Sequence, residues 1–181
     1  WQVHRHAAAT LTTAVQNAID AQLFDPRAAN LDLYGGVGLL AAAVGDRFGG
    51  ATRITSVESD EQATEYASEN LVDWMGARAQ TARVDRYLQQ VLRESSASER
   101  SRFESATVVL DPPRAGAGKA VVASLAQLRP AQLVYVACDP VALARDVALL
   151  REAGYELSGL DAFDLFPNTH HVEAVASFIR A

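Results

Sequence analysis

Short apolar runs alternate along the chain with helical patterns. "NLDLYG" (30–35), "RITSVE" (53–58), "ATVVLD" (106–111) and "QLVYVAC" (132–138) have the length and composition of strands, and "TARV" (81–84) is a weaker fifth. Helices are expected over 4–23, 37–48, 60–75, 118–128 and 140–153. This alternation predicts right-handed βαβ units, and hence a mostly parallel sheet with helices on both faces. The tail departs from the rhythm. "YELSGLDAFDLF" (155–166) and "VEAVASFIR" (172–180) are strand-like runs joined by the short "PNTHH", so an antiparallel hairpin is expected to end the sheet. "RESSASERSR" (93–102) reads as a polar surface loop. There is no repeat and no linker, and the 181 residues read as one α/β domain.

Composition adds exclusions. Apolar residues make up 49% and charged residues 21%, ordinary values for a soluble globular domain. No apolar run has the length of a membrane span, and no secretory apolar region is visible. One cysteine rules out an internal disulfide and fits a reducing, cytoplasmic compartment. The net charge of −6 and pI near 5.2 have the wrong sign for a domain that grips nucleic acid alone. A polyanionic substrate would need a local arginine patch or another segment. The chain starts at Trp1, so a longer polypeptide is expected.

In an open parallel sheet, ligands bind beyond the carboxyl ends of the strands. "DLYGGVGLLA" begins there, and Gly35, Gly36 and Gly38 let the backbone turn tightly and approach a ligand with no Cβ in the way. Gly36-Val-Gly38-Leu-Leu-Ala41 satisfies the loose dinucleotide-binding pattern. Glu58 ends the second strand 20 residues after Gly38, where a carboxylate can accept both hydroxyls of a ribose. A tight turn beside a solvated Glu is the bland reading. Glycines, strand context and a placed acid together favour a nucleoside-containing ligand, without separating NAD from S-adenosyl-L-methionine. "DLYGGVG" is also close to the first motif of methyltransferases, with Asp32 on the strand and Tyr34 beside the cofactor.

"VVLDPPRAGAG" places Asp111 at the end of the fourth strand. Two prolines then fix φ and remove two donors, making a rigid turn that points a carboxylate into the cleft. Arg114 follows where amine-methylating enzymes carry a stacking aromatic residue, so it fits phosphate contact instead.

Cys138 ends the fifth strand, Asp139 fits an N-cap and Pro140 fits the first helical position. The helix dipole favours a thiolate there and Asp139 opposes it. A lone cysteine is most often a small buried hydrophobe. Against that stands its place at a strand end that opens onto the same cleft as the glycine turn, Glu58 and Asp111. One Cys and four His show no metal-ligand spacing. A thiolate is useful to a methyltransferase when the target is C5 of uracil, a poor nucleophile until sulfur adds to C6. A base must then remove the C5 proton. Glu173, after "FPNTHH", is a candidate base, as are His170 and His171; an exposed edge-strand Glu is the alternative.

Taken together, "WQVH", "LDLYGGVG", "VESDEQATEYASEN", "LDPPRAG", "LVYVACDPVALARD" and "FPNTHHVE" make the chain, nearly end to end, resemble the catalytic domain of the RNA 5-methyluridine methyltransferase family. The resemblance implies a Rossmann-like class I methyltransferase fold with a mostly parallel seven-stranded sheet, a C-terminal antiparallel hairpin and helices on both faces. It implies S-adenosyl-L-methionine as cofactor, Cys138 as nucleophile and Glu173 as proton acceptor. Gln2, Tyr34, Glu58 and Asp111 match positions lining the cofactor and target-base pocket, and Asp85 matches less closely. The substrate class is a uridine of tRNA or rRNA, extruded from folded RNA. Gln2 and Asp111 are placed to read the base edge, and Arg114 and Arg145 to meet phosphates.

Two positions depart from the family pattern: Asp139 replaces a frequent Asn, and Leu39 stands where a polar residue often meets the cofactor. The family's upstream RNA-binding part, which in some members holds an iron–sulfur cluster, lies outside these residues. Weak RNA affinity and little activity are therefore expected of the 181 residues alone, which are expected to be monomeric, with no metal and no membrane contact. Three rivals remain. A NAD-dependent oxidoreductase explains the glycines and Glu58 but not Asp-Pro-Pro or the Cys/Glu pair. A DNA cytosine-5 methyltransferase carries its cysteine after the fourth strand rather than the fifth. A cofactor-binding scaffold without activity fits Leu39 and Asp139.

Overall fold

The computed structural model describes residues 4–165, 168–169 and 172–181. Helix α1 (Ala7–Ala18) precedes β1 (Asn30–Leu33), α2 (Leu39–Phe48), β2 (Ile54–Glu58), α3 (Glu61–Asn70) and β3 (Ala77–Thr81). Then come α4 (Val84–Glu94), α5 (Ala97–Glu104), β4 (Thr107–Leu110), α6 (Gly118–Leu128), β5 (Gln132–Ala137) and α7 (Pro140–Glu152). The hairpin strands β6 (Tyr155–Phe163) and β7 (Glu173–Arg180) complete the chain. The seven strands order as β3-β2-β1-β4-β5-β7-β6, the first five parallel and β7 antiparallel to both its neighbours.

Strand residues alternate between two apolar layers, as the two-residue period of a pleated strand requires. Leu31, Leu33, Val108, Leu110, Leu133 and Tyr135 face α4, α5, α6 and α7. Val109, Val134, Val136 and Val175 face α1 and α2. Asp32 breaks this order. It lies on the α2 face of β1, fully buried, and its position matters for the site below.

Three local expectations are corrected. The third strand lies at Ala77–Thr81 rather than 81–84. Residues from Val84 onward instead form α4, because Val84, Tyr87, Leu88 and Val91 recur at helical spacing on one core-facing side. The polar stretch 93–102 is mostly helical: α5 starts at a capping box in which the Ser96 hydroxyl accepts from the Glu99 amide and Glu99 returns a bond to the Ser96 amide. Phe103 then anchors the helix in the core. Helix α3 stops at Asn70 rather than 75 because the chain folds back to pack Trp74 against Gly45, where a Cβ would lie 2.1 Å from the indole.

Candidate active site

The carboxyl ends of β1, β2, β4 and β5 open onto one side of the sheet. After β1, Gly36 (φ +54°) and Gly38 (φ +87°) take up left-handed backbone that glycine enters without strain, and Tyr34 is held there too, at φ +62°. The Gly38 amide donates to the Gly35 carbonyl at 2.8 Å, and the Gly35 amide donates to Val57 on β2 at 3.0 Å. Gly35 permits the closest approach: a Cβ there would lie 1.9 Å from Ser56 Oγ and 2.8 Å from Asp32 Oδ2. Beneath the turn, Asp32 Oδ2 accepts from the Ala41 amide and the Ser56 hydroxyl, while its Oδ1 is buried with no hydrogen-bond partner among the described residues. Burial pushes this carboxyl up to about 6, against the pull of those two donors.

Glu58 ends β2 with its carboxylate already ordered. Oε2 accepts from the Gly36 amide at 3.1 Å, and Oε1 accepts from the Ser59 amide and hydroxyl and the Asp60 amide. Tyr34, Glu58, Ser59, Asp85, Asp111, Pro113 and the start of α6 line an open cleft of about 600 Å³. Gly36 borders open space, and its amide bonds the Glu58 carboxylate that lines the cleft. Asp85 lies in the first turn of α4, where Arg83 clamps its carboxylate through two bonds of 3.1 Å and holds it below the usual carboxylate range. Burial pushes the Tyr34 phenol up to about 12, with Asp85 and Asp146 adding to the effect.

Asp111 follows β4, its amide bonded to Leu33. Burial, then the charges of Glu173 and Asp32, push its carboxyl up to about 7. Cys138 follows β5 and is partly exposed. Asp139 caps α7 by accepting from the Ala142 amide at 2.7 Å, and Pro140 takes the first turn, as the sequence predicts. Ala137 pairs with Ala174 at the end of the antiparallel β5–β7 ladder; Cys138 follows the one and Glu173 precedes the other, and the Glu173 charge reaches the thiol. Glu173 is only 1% exposed, and β7 lies inside the sheet rather than at its edge. Burial raises the Cys138 thiol, with Glu173 and Asp111 adding to the effect and Arg114 opposing it. The helix dipole alone therefore does not make this thiol acidic.

Pro112, Pro113, Arg114 and Gly116 share a narrow crevice with Tyr135, Cys138 and Asp139. Pro113 also borders the larger cleft, so the cleft and the thiol crevice meet at the Asp-Pro-Pro loop. Tyr34, Glu58, Asp85 and Asp111 thus line the cleft, with Gly36 bonded to Glu58, while Cys138 borders the loop and feels the charges of Glu173 and Asp111. Gln2, His170 and His171 lie outside the described residues. Arg145 is not held out for phosphate: its guanidinium bonds the Ala115 carbonyl at 2.6 Å and Asp146 at 3.1 Å. Asp146 itself escaped the sequence reading, although it stands in the quoted "ARD". A second groove of about 630 Å³, bordered by Arg53, Arg78 and Arg102, opens at the amino ends of β1–β3; the thiol, Glu58 and the glycine turn are not among its walls.

The match to known proteins agrees with this geometry. An uncharacterized RNA methyltransferase of Streptomyces avermitilis is 44% identical over 176 residues, 97% of this chain and 38% of that protein. One from Bifidobacterium longum is 41% identical over 99% of this chain and 40% of its own length. The chain therefore spans about two fifths of the length of these relatives. The crystal structure of the Pyrococcus abyssi tRNA (uracil-54, C5)-methyltransferase in complex with S-adenosyl-L-homocysteine superposes with a TM-score of 0.74 at 29% identity, over 99% of this chain and 40% of that one. Fibrillarin from Aeropyrum pernix, solved with natively bound S-adenosyl-L-methionine, shares the fold alone, at 13% identity and a TM-score of 0.66 over 93% of this chain and 74% of its own. The sheet order, its closing hairpin and the sequence thus point the same way, and the model of the tRNA (uracil-5-)-methyltransferases matches residues 11–180: the chain belongs to that family.

Proposed function

We propose that this chain is the catalytic part of an S-adenosyl-L-methionine-dependent RNA methyltransferase that acts on C5 of a uridine in tRNA or rRNA through a covalent adduct of Cys138. The observation that carries this reading is that Cys138, just past the end of β5, and Glu173, at the start of the neighbouring β7, flank the last pair of the ladder, with Asp111 close enough for their charges to interact. The cofactor fits the cleft because the backbone at Gly36 is bare and the Glu58 carboxylate, ordered by backbone amides, is placed to accept ribose hydroxyls. Bound there, S-adenosyl-L-methionine supplies a methyl group on a positively charged sulfur.

Each chain residue then has a defined task. The Cys138 thiol loses its proton to water, and the sulfur forms a bond to C6 of the extruded uracil. The C5–C6 π electrons move onto C5 and O4, and Asp111, whose carboxyl is raised to about 7, can in its protonated form donate to the enolate oxygen. C5 takes the methyl group. Glu173 accepts the C5 proton, the C5–C6 double bond re-forms, and the C6–S bond breaks to release the thiolate. Arg114, exposed beside Cys138, stabilises that thiolate. RNA containing 5-fluorouridine tests the scheme, because fluorine at C5 leaves no proton for the base to remove. The full natural polypeptide should form an adduct with this RNA that survives denaturation and maps to Cys138. The Cys138→Ser variant should form none. Absence of an adduct with both tRNA and rRNA carrying the analogue would overturn the reading.

A further inference from the structure

Asp146 is fully buried in the middle of α7. Burying a carboxylate is costly unless its oxygens are well bonded, and here they are. Oδ2 accepts from the Tyr135 hydroxyl at 2.7 Å, the Ala117 amide at 2.7 Å and the Gly118 amide at 3.2 Å. Oδ1 accepts from Arg145 at 3.1 and 3.2 Å, and the same guanidinium reaches the Ala115 carbonyl. Three consecutive positions of the loop after Asp-Pro-Pro, plus the first residue of α6, are therefore cast around one side chain pair. Gly116 shows how closely. It has φ +78°, and a Cβ there would lie 2.5 Å from Asp146 Oδ2 and 2.6 Å from the Arg145 guanidinium.

The clamp touches both halves of the site. Its loop carries Asp111 and Arg114 and borders both the cleft and the thiol crevice. Tyr135 stands on β5 three residues before Cys138, and α7 begins two residues after it. A buried, charged bond network is weak evidence for added stability, because an apolar side chain of like volume packs as well. What such a network does supply is one loop conformation rather than several.

We infer that Asp146 is a positioning residue for methyl transfer: with Tyr135 and Arg145 it fixes the Asp111–Ala117 loop against the Cys138 turn and so sets the gap that the target ring must enter. This rests on the uridine-methylating reading above. The test uses the full natural polypeptide with Asp146→Asn, which keeps the shape and loses the charge, and Tyr135→Phe, which keeps the buried ring. Adduct formation with 5-fluorouridine RNA and steady-state methylation are measured per folded molecule. Asp146→Asn should slow both at least tenfold with KM for RNA changed less than threefold, and Tyr135→Phe should slow both about threefold. A merely structural role would lower the melting temperature and leave these rates unchanged. Wild-type rates in Asp146→Asn overturn the inference; if that variant does not fold, wild-type rates in Tyr135→Phe do so. Failure of the unsubstituted protein to form an adduct overturns the functional reading instead.

Discussion

The Gly36 amide donates to the Glu58 carboxylate across 3.1 Å, joining the turn after β1 to the end of β2. Three further donors from Ser59 and Asp60 hold the other carboxylate oxygen. The acid is thus oriented before any ligand arrives, and little side-chain entropy is lost on binding. Glu58→Ala should weaken S-adenosyl-L-methionine binding by roughly 30-fold, the loss of about 2 kcal/mol for hydrogen bonds to a charged acceptor. Calorimetric titration of the two proteins reads this directly, and equal affinities would remove Glu58 from the cofactor site.

Gly35 has no room for a side chain. A methyl there would drive into Ser56 Oγ and Asp32 Oδ2, and Ser56 cannot retreat without leaving a buried carboxylate short of a donor. Gly35→Ala should destabilise the protein by about 2–4 kcal/mol, the range for overpacking combined with a broken buried hydrogen bond. Gly36→Ala meets open space and bears only the cost of its positive φ, about 1 kcal/mol. Denaturant unfolding of the two variants should rank them in that order.

Much of this arrangement was legible because it is local. The glycine run, the Asp-Pro-Pro turn and the Asp139-Pro140 helix start each announce their backbone through residues with few conformational options. The ends of β1, β2, β4 and β5 therefore fell within one or two residues of their observed places, and Glu58, Asp111 and Cys138 came to one side of the sheet. Two classes of feature were not legible. The capping box Ser96-Ala-Ser-Glu99 was present, but the charge density of 93–102 masked the single apolar anchor, Phe103, that makes a helix of it. Asp146 was hidden for a different reason. Its partners at positions 115–118 lie about thirty residues away, and only the packing of the β4–α6 loop on α7 brings them together. Glu173 was likewise ambiguous until the antiparallel register placed β7 between β5 and β6.

The raised carboxyls bear on stability. In the folded chain Asp32 sits at about 6 and Asp111 at about 7, against an ordinary value of 3.8. Between about pH 4 and pH 7 the native state therefore binds more protons than the unfolded chain, so stability falls as pH rises through that window. Asp111→Asn cannot ionise and should be more stable than the natural chain at pH 8, by on the order of 2 kcal/mol, with the difference vanishing below pH 4. Melting curves at several pH values give the comparison. A natural chain that grows more stable from pH 5 to 7, with Asp111→Asn tracking it, contradicts the assignment.

The thiol supplies the last prediction. Burial raises Cys138, and the negative charges of Glu173 and Asp111 raise it further, while Arg114 alone among the neighbouring charges favours the thiolate. Since the thiolate is the reactive form, Cys138 should alkylate slowly at pH 7 until a ligand or a substitution changes its surroundings. Removing either carboxylate lowers the cost of a second negative charge, so Glu173→Gln and Asp111→Asn should each shift the rate–pH profile to lower pH and speed iodoacetamide reaction at pH 7 several-fold. Arg114→Ala should shift it the other way. Cys138 is the only cysteine among the 181 residues, so the measurement reports a single site. A profile that ignores all three substitutions would mean that these charges do not reach the sulfur, and the proton acceptor and nucleophile could not then act on one ring.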